Sequence, residues 1–428
     1  MTATDARSAP HRHAPPPTVA AAATRLGSVD LYRGLIMVIM LLDHTRERVH
    51  FAGMSENPTD PATTTTMLFV TRWITHLCAP GFVFLAGTSA GLLGLRGYTS
   101  PQLSRYLLTR GLVLIALEFF VVRPLVFLNV DLRMLAFLEA IWAIGLSMIA
   151  LSALIFLGQR AVLVVGLIIV FGHNALDTFG VPQWLPGRAL PSLFTKLYQV
   201  VHHAGFFPVD MQQTGQLPGP IVFVGYPVLP WIGVIALGYC FAHVYTWNAE
   251  RRIRVLTVVG VSMIALFVAL RVLNVYGNPQ KWVEGATAVQ TAFSFMNLQK
   301  YPPSLDFLLA TLAPCMLVLA LVDRKPLTST IAQWFMTFGR VPLFFFLIQW
   351  PYVHVAGFLT ALTLGQPLTG FTANLVDYAF GPTPAPWGGP LWLVYIAWMS
   401  GALLLYFPCR WYASLRARRR DIALLRYI

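Results

Sequence analysis

The stretch SVDLYRGLIMVIMLLDHTRE, residues 28–47, decides how the whole chain is read. It is an apolar run entered through Asp30 and Arg33 and left through Asp43, His44, Arg46 and Glu47. Ionisable groups inside such a run are costly in a bilayer and are kept where they serve a site or a pathway. Arg33 and His44 are eleven residues apart, which on a helix leaves them about 20° apart in azimuth and about 16 Å apart along the axis. One face of one helix therefore predicts a cation near one mouth and an imidazole near the other. Glu47, three residues beyond His44, falls on a similar face and is placed to orient the ring, with Asp43 as the neighbouring choice.

Working outward, the 428 residues are 57% hydrophobic and 11% charged, where a soluble domain would carry about a quarter charged residues. The apolar residues come in runs long enough to cross a bilayer, about 18 to 25 residues each. Spans are expected near 31–47, 67–95, 104–122, 134–157, 161–176, 221–244, 253–275, 304–322, 331–362 and 390–410. The predicted fold is all-α, a polytopic transmembrane bundle of about ten helices. Its expected limits are 28–410, after a disordered tail over 1–27 and before a basic tail over 411–428. The first residues are rich in Pro, Ala, Thr and His and lack the apolar core of a cleaved signal peptide. The first span is then an uncleaved anchor, and His11 and His13 are solvated tail residues.

The net charge of +13 does not indicate nucleic acid. The basic residues lie in short segments between apolar runs, and their alternation puts 20 of the 30 on one side. The positive-inside rule then places both termini in the cytoplasm. Phosphate binding is a second use for some of these arginines. Cys78, Cys240, Cys315 and Cys409 stand alone in or beside apolar runs and read as small buried residues. His202 and His203 are adjacent rather than one helical turn apart, no metal-binding motif is present, and no metal is expected.

A cation at one mouth and an imidazole at the other suit a phosphorylated donor with a thin arm and a reactive tip, the shape of acyl-coenzyme A. Arg33 can hold phosphate. His44 can take a proton from an attacking amine or hydroxyl, or act as a nucleophile. The bland readings are a snorkelling anchor for Arg33 and an interfacial residue for His44. Arg110 and Arg340 fall near the same mouth as Arg33 and are expected to bind donor phosphates or to anchor their helices. Arg72 and His76 share a face of the second span near the depth of His44 and are expected at the acceptor or its oxyanion. Gln349, Asp306 and the rest of the stretch Lys300–Asp306, with His354, Asn274, Arg271, His173 and Asn174, are expected near the acceptor pocket. Asp60 and Thr63 to Thr66 read as a helix cap. Glu118 and Glu139 are expected to pair with Arg123 and Arg133.

The spacing Arg33-x10-His44 matches the first-helix signature of the acyltransferase-3 membrane enzymes. Longer strings, among them PTDPATTTTMLFVTRWITHLCAPGFVFLAGTSA (58–90), YPVLPWIGVIALGYCFA (226–242), FMNLQKYPPSLDFLLATLAP (295–314), FGRVPLFFFLIQW (338–350) and FPCRWYASLRARRRD (407–421), resemble a related bacterial family. That family carries the catalytic fold of heparan-alpha-glucosaminide N-acetyltransferase. The resemblance runs over residues 28–421 and implies an enzyme of the bacterial inner membrane. It implies transfer of acetyl from cytosolic acetyl-CoA to an acceptor on the outer face, with His44 as the essential histidine and Arg33 as the first-helix arginine. Around Asp43-His44-Thr45-Arg46 the chain departs from the lysosomal enzyme, so a glucosaminide acceptor is not carried over. Sugar amines and hydroxyls stay open as acceptors, as does a homo-oligomeric state. A transporter or flippase with intramembrane charges is the competing class.

Overall fold

In the computed structural model of the chain, the described residues are 18–51, 53, 57–209, 220–324, 327–368, 375–381, 387–419 and 421–422, with side chains from Gly27 onward. Residues 1–17 of the expected tail, with His11 and His13, lie outside them.

The first helix, α1 (Thr18–Val49), runs through the middle of the molecule. It packs on α2 (Thr66–Thr75) and α3 (Cys78–Leu95), and on later helices over Leu305–Val322, Thr330–Arg340, Pro342–Thr363 and Leu391–Leu404. Thr65 caps α2 by accepting the Leu68 amide at 3.3 Å. The expected span 67–95 is interrupted at His76–Leu77. Pro80 lacks the N–H that would bond the carbonyl of His76, and its ring crowds that carbonyl.

The next span, α4 (Ser100–Leu117), passes through a π-helical turn at Glu118–Val122 into α5 (Arg123–Phe127). The wide turn fits Pro124, which removes a donor from the ladder. Residues 134–157, expected as one helix, begin instead as strand β1 (Met134–Leu138), followed by α6 (Ala140–Leu154). Then come α7 (Gln159–Gly172), with a 3₁₀ extension His173–Phe179, and the amphipathic α8 (Leu193–His202). Strands β2 (Gly205–Pro208) and β3 (Ile221–Val224) complete a three-stranded sheet of order β1-β3-β2. β1 runs parallel to β3, with Phe137 opposite Phe223, and β2 runs antiparallel to it. Short apolar runs read alike as strand or buried helix, so the sheet corrects the expected helical starts at 134 and 221.

Helix α9 (Leu229–Phe241) packs on α3 and α7. It is followed by α10 (Ala249–Leu273), the short α11 (Ala288–Met296) and α12 (Leu305–Val322). Asn248 and Ser304 cap α10 and α12 by accepting amides at 2.8 and 3.1 Å. On α10 the buried residues are Arg252, Leu256, Gly260, Phe267 and Arg271, a stripe against α12, while valines such as Val258 and Val261 face outward. An apolar outer face and a narrow inner stripe are what a helix at the lipid boundary requires. The expected span 331–362 is two helices, α13 (Thr330–Arg340) and α14 (Pro342–Thr363), divided at Val341. Pro342 opens the second as its first residue, where a missing N–H costs nothing. The chain ends through α15 (Leu375–Phe380), α16 (Leu391–Leu404) and α17 (Tyr406–Arg418).

Among the described residues, eight helical segments are long and apolar enough to cross a membrane: those beginning at Thr66, Ala140, Gln159, Leu229, Ala249, Leu305, Pro342 and Leu391. The α1 helix and the α4–α5 segment are of comparable length and more polar. The chain is an all-α polytopic membrane bundle carrying one small sheet.

Glycines let the central helices touch. A Cβ on Gly34 of α1 would stand 1.8 Å from the Phe335 carbonyl oxygen, and one on Gly339 of α13 would stand 1.8 Å from that of Asp30. Gly87 and Gly238 make the same approach between α3 and α9. Such small residues give membrane helices their close packing in the absence of a hydrophobic drive between them.

Candidate active site

Two cavities lie on either side of α1. At its Arg33 end, a space of about 270 Å³ is lined by Arg33, Arg110, Arg340 and Arg416, with Ser89 and Tyr106. The α1–α13 contact sets Arg33 in place. Its Nη1 donates to Gly339 O at 3.1 Å and to Asp30 Oδ1 at 3.2 Å, and its Nη2 donates to Ser89 Oγ at 2.9 Å. Arg416 arrives from α17 and donates to the Arg340 carbonyl at 3.3 Å. Arg110 reaches the Tyr106 hydroxyl at 3.4 Å. Four guanidinium groups meet one carboxylate, Asp30, so the cavity carries excess positive charge and suits an anionic ligand. The three arginines singled out from sequence come together here. Arg416, read there only as part of a basic tail, joins them.

The second cavity, about 320 Å³, lies at the other end of α1. Asp43, His44, Glu47 and Arg48 line it from α1, Thr75 and Cys78 from the α2–α3 break, and Glu118 from the π-helical turn. The sheet and its flanks contribute Phe137, Glu139, Phe223, Gly225 and Tyr226, and the α11–α12 connection contributes Lys300 and Tyr301. His44 Nδ1 lies 3.2 Å from Glu47 Oε2, and its ring rests 4.2 Å, centroid to centroid, from that of Trp350. A carboxylate on Nδ1 fixes the ring tautomer and leaves Nε2 as the proton-accepting atom.

Asp43 is occupied differently. Arg72 holds both its oxygens, donating to Oδ1 at 2.6 Å and also to Oδ2, while Arg46 donates to Oδ1 at 3.4 Å. Asp43 thus ties α1 to α2, and it is Glu47 that engages the imidazole.

The two cavities share a wall. Met40, Phe82, Ala140, Ile141 and Phe346 line both of them. That shared wall is apolar and stands between a cationic chamber and a mixed polar and aromatic one.

Several residues expected at the acceptor pocket do not line it. Arg72 is committed to Asp43. His76 is buried against Phe307, with ring centroids 5.3 Å apart. Gln349 is fully buried outside the cavity walls, and Asp306 sits beside Gly277. His354 bonds the Leu125 carbonyl at 2.7 Å. Arg271 organises the loop after α10 by donating to the carbonyls of Phe295, Gln280, Ser294 and Asn297. Asn274 is bound to Trp282, and Asn174 to Leu305 and Asp177. From the stretch Lys300–Asp306, Lys300 and Tyr301 reach the cavity.

The expected pairing of Glu118 and Glu139 with arginines is also corrected. Arg123 donates to the Asp131 carbonyl, and Arg133 pairs with Asp131 and with Asp377 at 2.7 Å. Glu118 accepts the Trp142 amide at 3.0 Å at the start of α6, where an anion is favoured. Both glutamates face the His44 cavity. Sequence distance hid them, because β1 carries Glu139 to a wall that no helical periodicity describes. Arg48 was legible as the residue one turn after His44. Among the described residues no group of three or more His, Cys, Asp or Glu side chains is arranged to hold a metal.

A helical membrane bundle with adjoining chambers, one cationic and one holding a half-buried His–Glu pair, has the parts of a membrane-embedded group-transfer protein. The family model for heparan-alpha-glucosaminide N-acetyltransferase, catalytic, matches residues 25–277, more than half of the chain. The chain belongs to this family, which makes it a membrane-embedded acetyltransferase. The match contains α1 through α10 and stops before the segments that supply Lys300, Arg340, Trp350 and Arg416. No curated protein matches the chain.

Proposed function

We propose that the chain moves an acetyl or other short acyl group from cytosolic acetyl-CoA to an amine or hydroxyl of a sugar-like acceptor on the outer face. The observation that carries this reading is the apolar wall shared by the arginine cavity and the His44 cavity. The arginines at positions 33, 110, 340 and 416 receive the donor's phosphates, and the pantetheine arm threads past Met40, Phe82 and Phe346. The thioester then stands before His44. His44 Nε2 takes the proton of the acceptor's N–H or O–H as its lone pair attacks the carbonyl carbon. The tetrahedral intermediate collapses by breaking the C–S bond, and the thiolate of CoA leaves with the proton that the His44 imidazolium gives up. Glu47 stabilises the imidazolium during this exchange. Asp43 serves by positioning α1 against α2. Aromatic rings at Phe223, Tyr226, Tyr301 and Trp350, with carboxylates nearby, suit the faces and hydroxyls of a sugar ring.

With the termini in the cytoplasm, as the distribution of basic residues indicates, the arginine cavity opens inward and the sheet lies outward. The donor is then cytosolic and the membrane is the bacterial inner membrane. The test is calorimetric titration of CoA into purified wild-type and Arg33→Gln protein, with acetyl transfer measured for wild-type and His44→Ala. Tight CoA binding that depends on Arg33, and transfer that depends on His44, is the expected result. Absence of CoA binding would remove the donor assignment and return the chain to the transporter reading.

A further inference from the structure

Most charged groups on the wall of the His44 cavity answer one another. Asp43 is held by Arg72 and Arg46. Glu47 is held by His44 and by Arg46 at 3.6 Å. Glu118 is engaged at the start of α6. Three side chains on the wall stand outside this network among the described residues: Arg48, Lys300 and Glu139.

Arg48 is the most demanding of them. It is 1% exposed and donates through Nη2 alone, to the carbonyl of Val126. Its Nε and Nη1 are buried and meet no acceptor. A guanidinium keeps its charge under all ordinary conditions. Leaving two of its donors unsatisfied in a low-dielectric site is expensive. Nε and an adjacent Nη form an edge that matches a carboxylate or phosphate. Arg48 follows His44 by four residues on α1, so it stands on the same face and roughly 6 Å further along the axis. Lys300 Nζ adds a second cation, 5.0 Å from the centre of the Tyr301 ring and 6.0 Å from that of Tyr226, with no carboxylate in an ion pair with it. Glu139 supplies oxygens that accept hydroxyl or amine hydrogens.

We infer that the acceptor bears an acidic group, a carboxylate or a phosphate, which Arg48 receives one helical turn beyond the nucleophile facing His44. Lys300 is the second cation of this subsite, and Glu139 takes the ring's hydrogen-bond donors. The inference rests on the acceptor reading above and narrows it to acidic sugars.

Binding tests it separately from turnover. Glucosamine, glucosamine 6-phosphate and glucosaminuronic acid are titrated into the purified protein saturated with CoA, which occupies the other arginines. At least one acidic sugar binds more tightly than glucosamine, by about tenfold or more. Arg48→Gln abolishes that preference, Arg48→Lys keeps part of it, and Lys300→Gln weakens it. Which acidic sugar binds better identifies the anion. Equal binding of the three sugars, no binding of any, or a preference that survives Arg48→Gln overturns the subsite. Should Arg48→Gln fail to fold, the wild-type comparison and Lys300→Gln decide. If CoA does not bind, the titrations are made in Arg33→Gln protein. Selective binding there, with no acetyl transfer, keeps the acidic subsite and removes the transfer reading.

Discussion

At the scale of single residues, the site divides into groups that touch the reaction and groups that hold them. In the proposed mechanism His44 belongs to the first set. Replacing it with Ala removes the proton acceptor and lowers transfer by about 10² to 10⁴-fold while CoA affinity is kept, since general-base contributions are of that size. Single-turnover transfer beside calorimetric CoA binding checks this, and unchanged turnover would take His44 out of the mechanism. Asp43 belongs to the second set. It faces Arg72 and Arg46, all three with buried side chains. Asp43→Asn leaves Arg72 without its counter-charge and Arg46 with Glu47 alone, and breaking such a pair costs about 3 to 5 kcal/mol. The expected outcome is a large loss of thermal stability in detergent. Glu47→Gln should instead keep the fold and lower the transfer rate, because its carboxylate is shared with His44. The His44–Glu47 relation was legible in sequence because it lies within one turn of one helix. The commitment of Asp43 to Arg72 was not, because it depends on where α2 crosses α1.

At the scale of elements, the helix crossings set the arginine cavity. Gly34 and Gly339 bring the backbones of α1 and α13 together, and the Gly339 carbonyl accepts from Arg33. A valine at position 339 must push the helices apart against backbone atoms, for which overpacking costs of about 1 to 3 kcal/mol are typical. Gly339→Val is therefore expected to lower the melting temperature and to weaken CoA binding together, as Arg33 loses its anchor. Gly172→Ala is the control, since a Cβ there meets nothing within 4 Å. A thermal scan with CoA titration separates them, and equal behaviour would remove the crossing from the donor site. The long apolar runs that become these helices were plain in the sequence, while the break beside Arg340 fell inside one expected span. The sheet was not. Met134–Leu138 and Ile221–Val224 are short apolar runs that continue into true helices. Their pairing is set by partners more than 80 residues apart in the chain, a distance over which periodicity carries no information. That sheet also supplies part of the His44 cavity wall, which Arg72, His76, Gln349 and Asp306 do not line.

At the scale of the whole molecule, the proposed reaction needs two chambers to act as one site. The arginine cavity can hold a charged donor head without any contact with His44, and the His44 cavity can hold a polar acceptor without any contact with the arginines. In the proposed reaction a thioester bound in one reaches a nucleophile bound in the other through a constriction at the shared wall. Ala140 is the smallest side chain on that constriction, at the first turn of α6 and on the wall of both cavities. Ala140→Phe fills the passage and leaves the phosphate and acceptor ends in place. CoA and acceptor should each still bind within a few-fold of wild-type affinity, while transfer falls by about 10² or more, the usual penalty for misplaced reactants. Loss of both binding events would mean that the substitution had unfolded the bundle. Retained binding with retained transfer would mean that donor and acceptor meet by another route. The paired measurement of binding and turnover in this variant therefore asks whether the space between the chambers is the path of the acyl group.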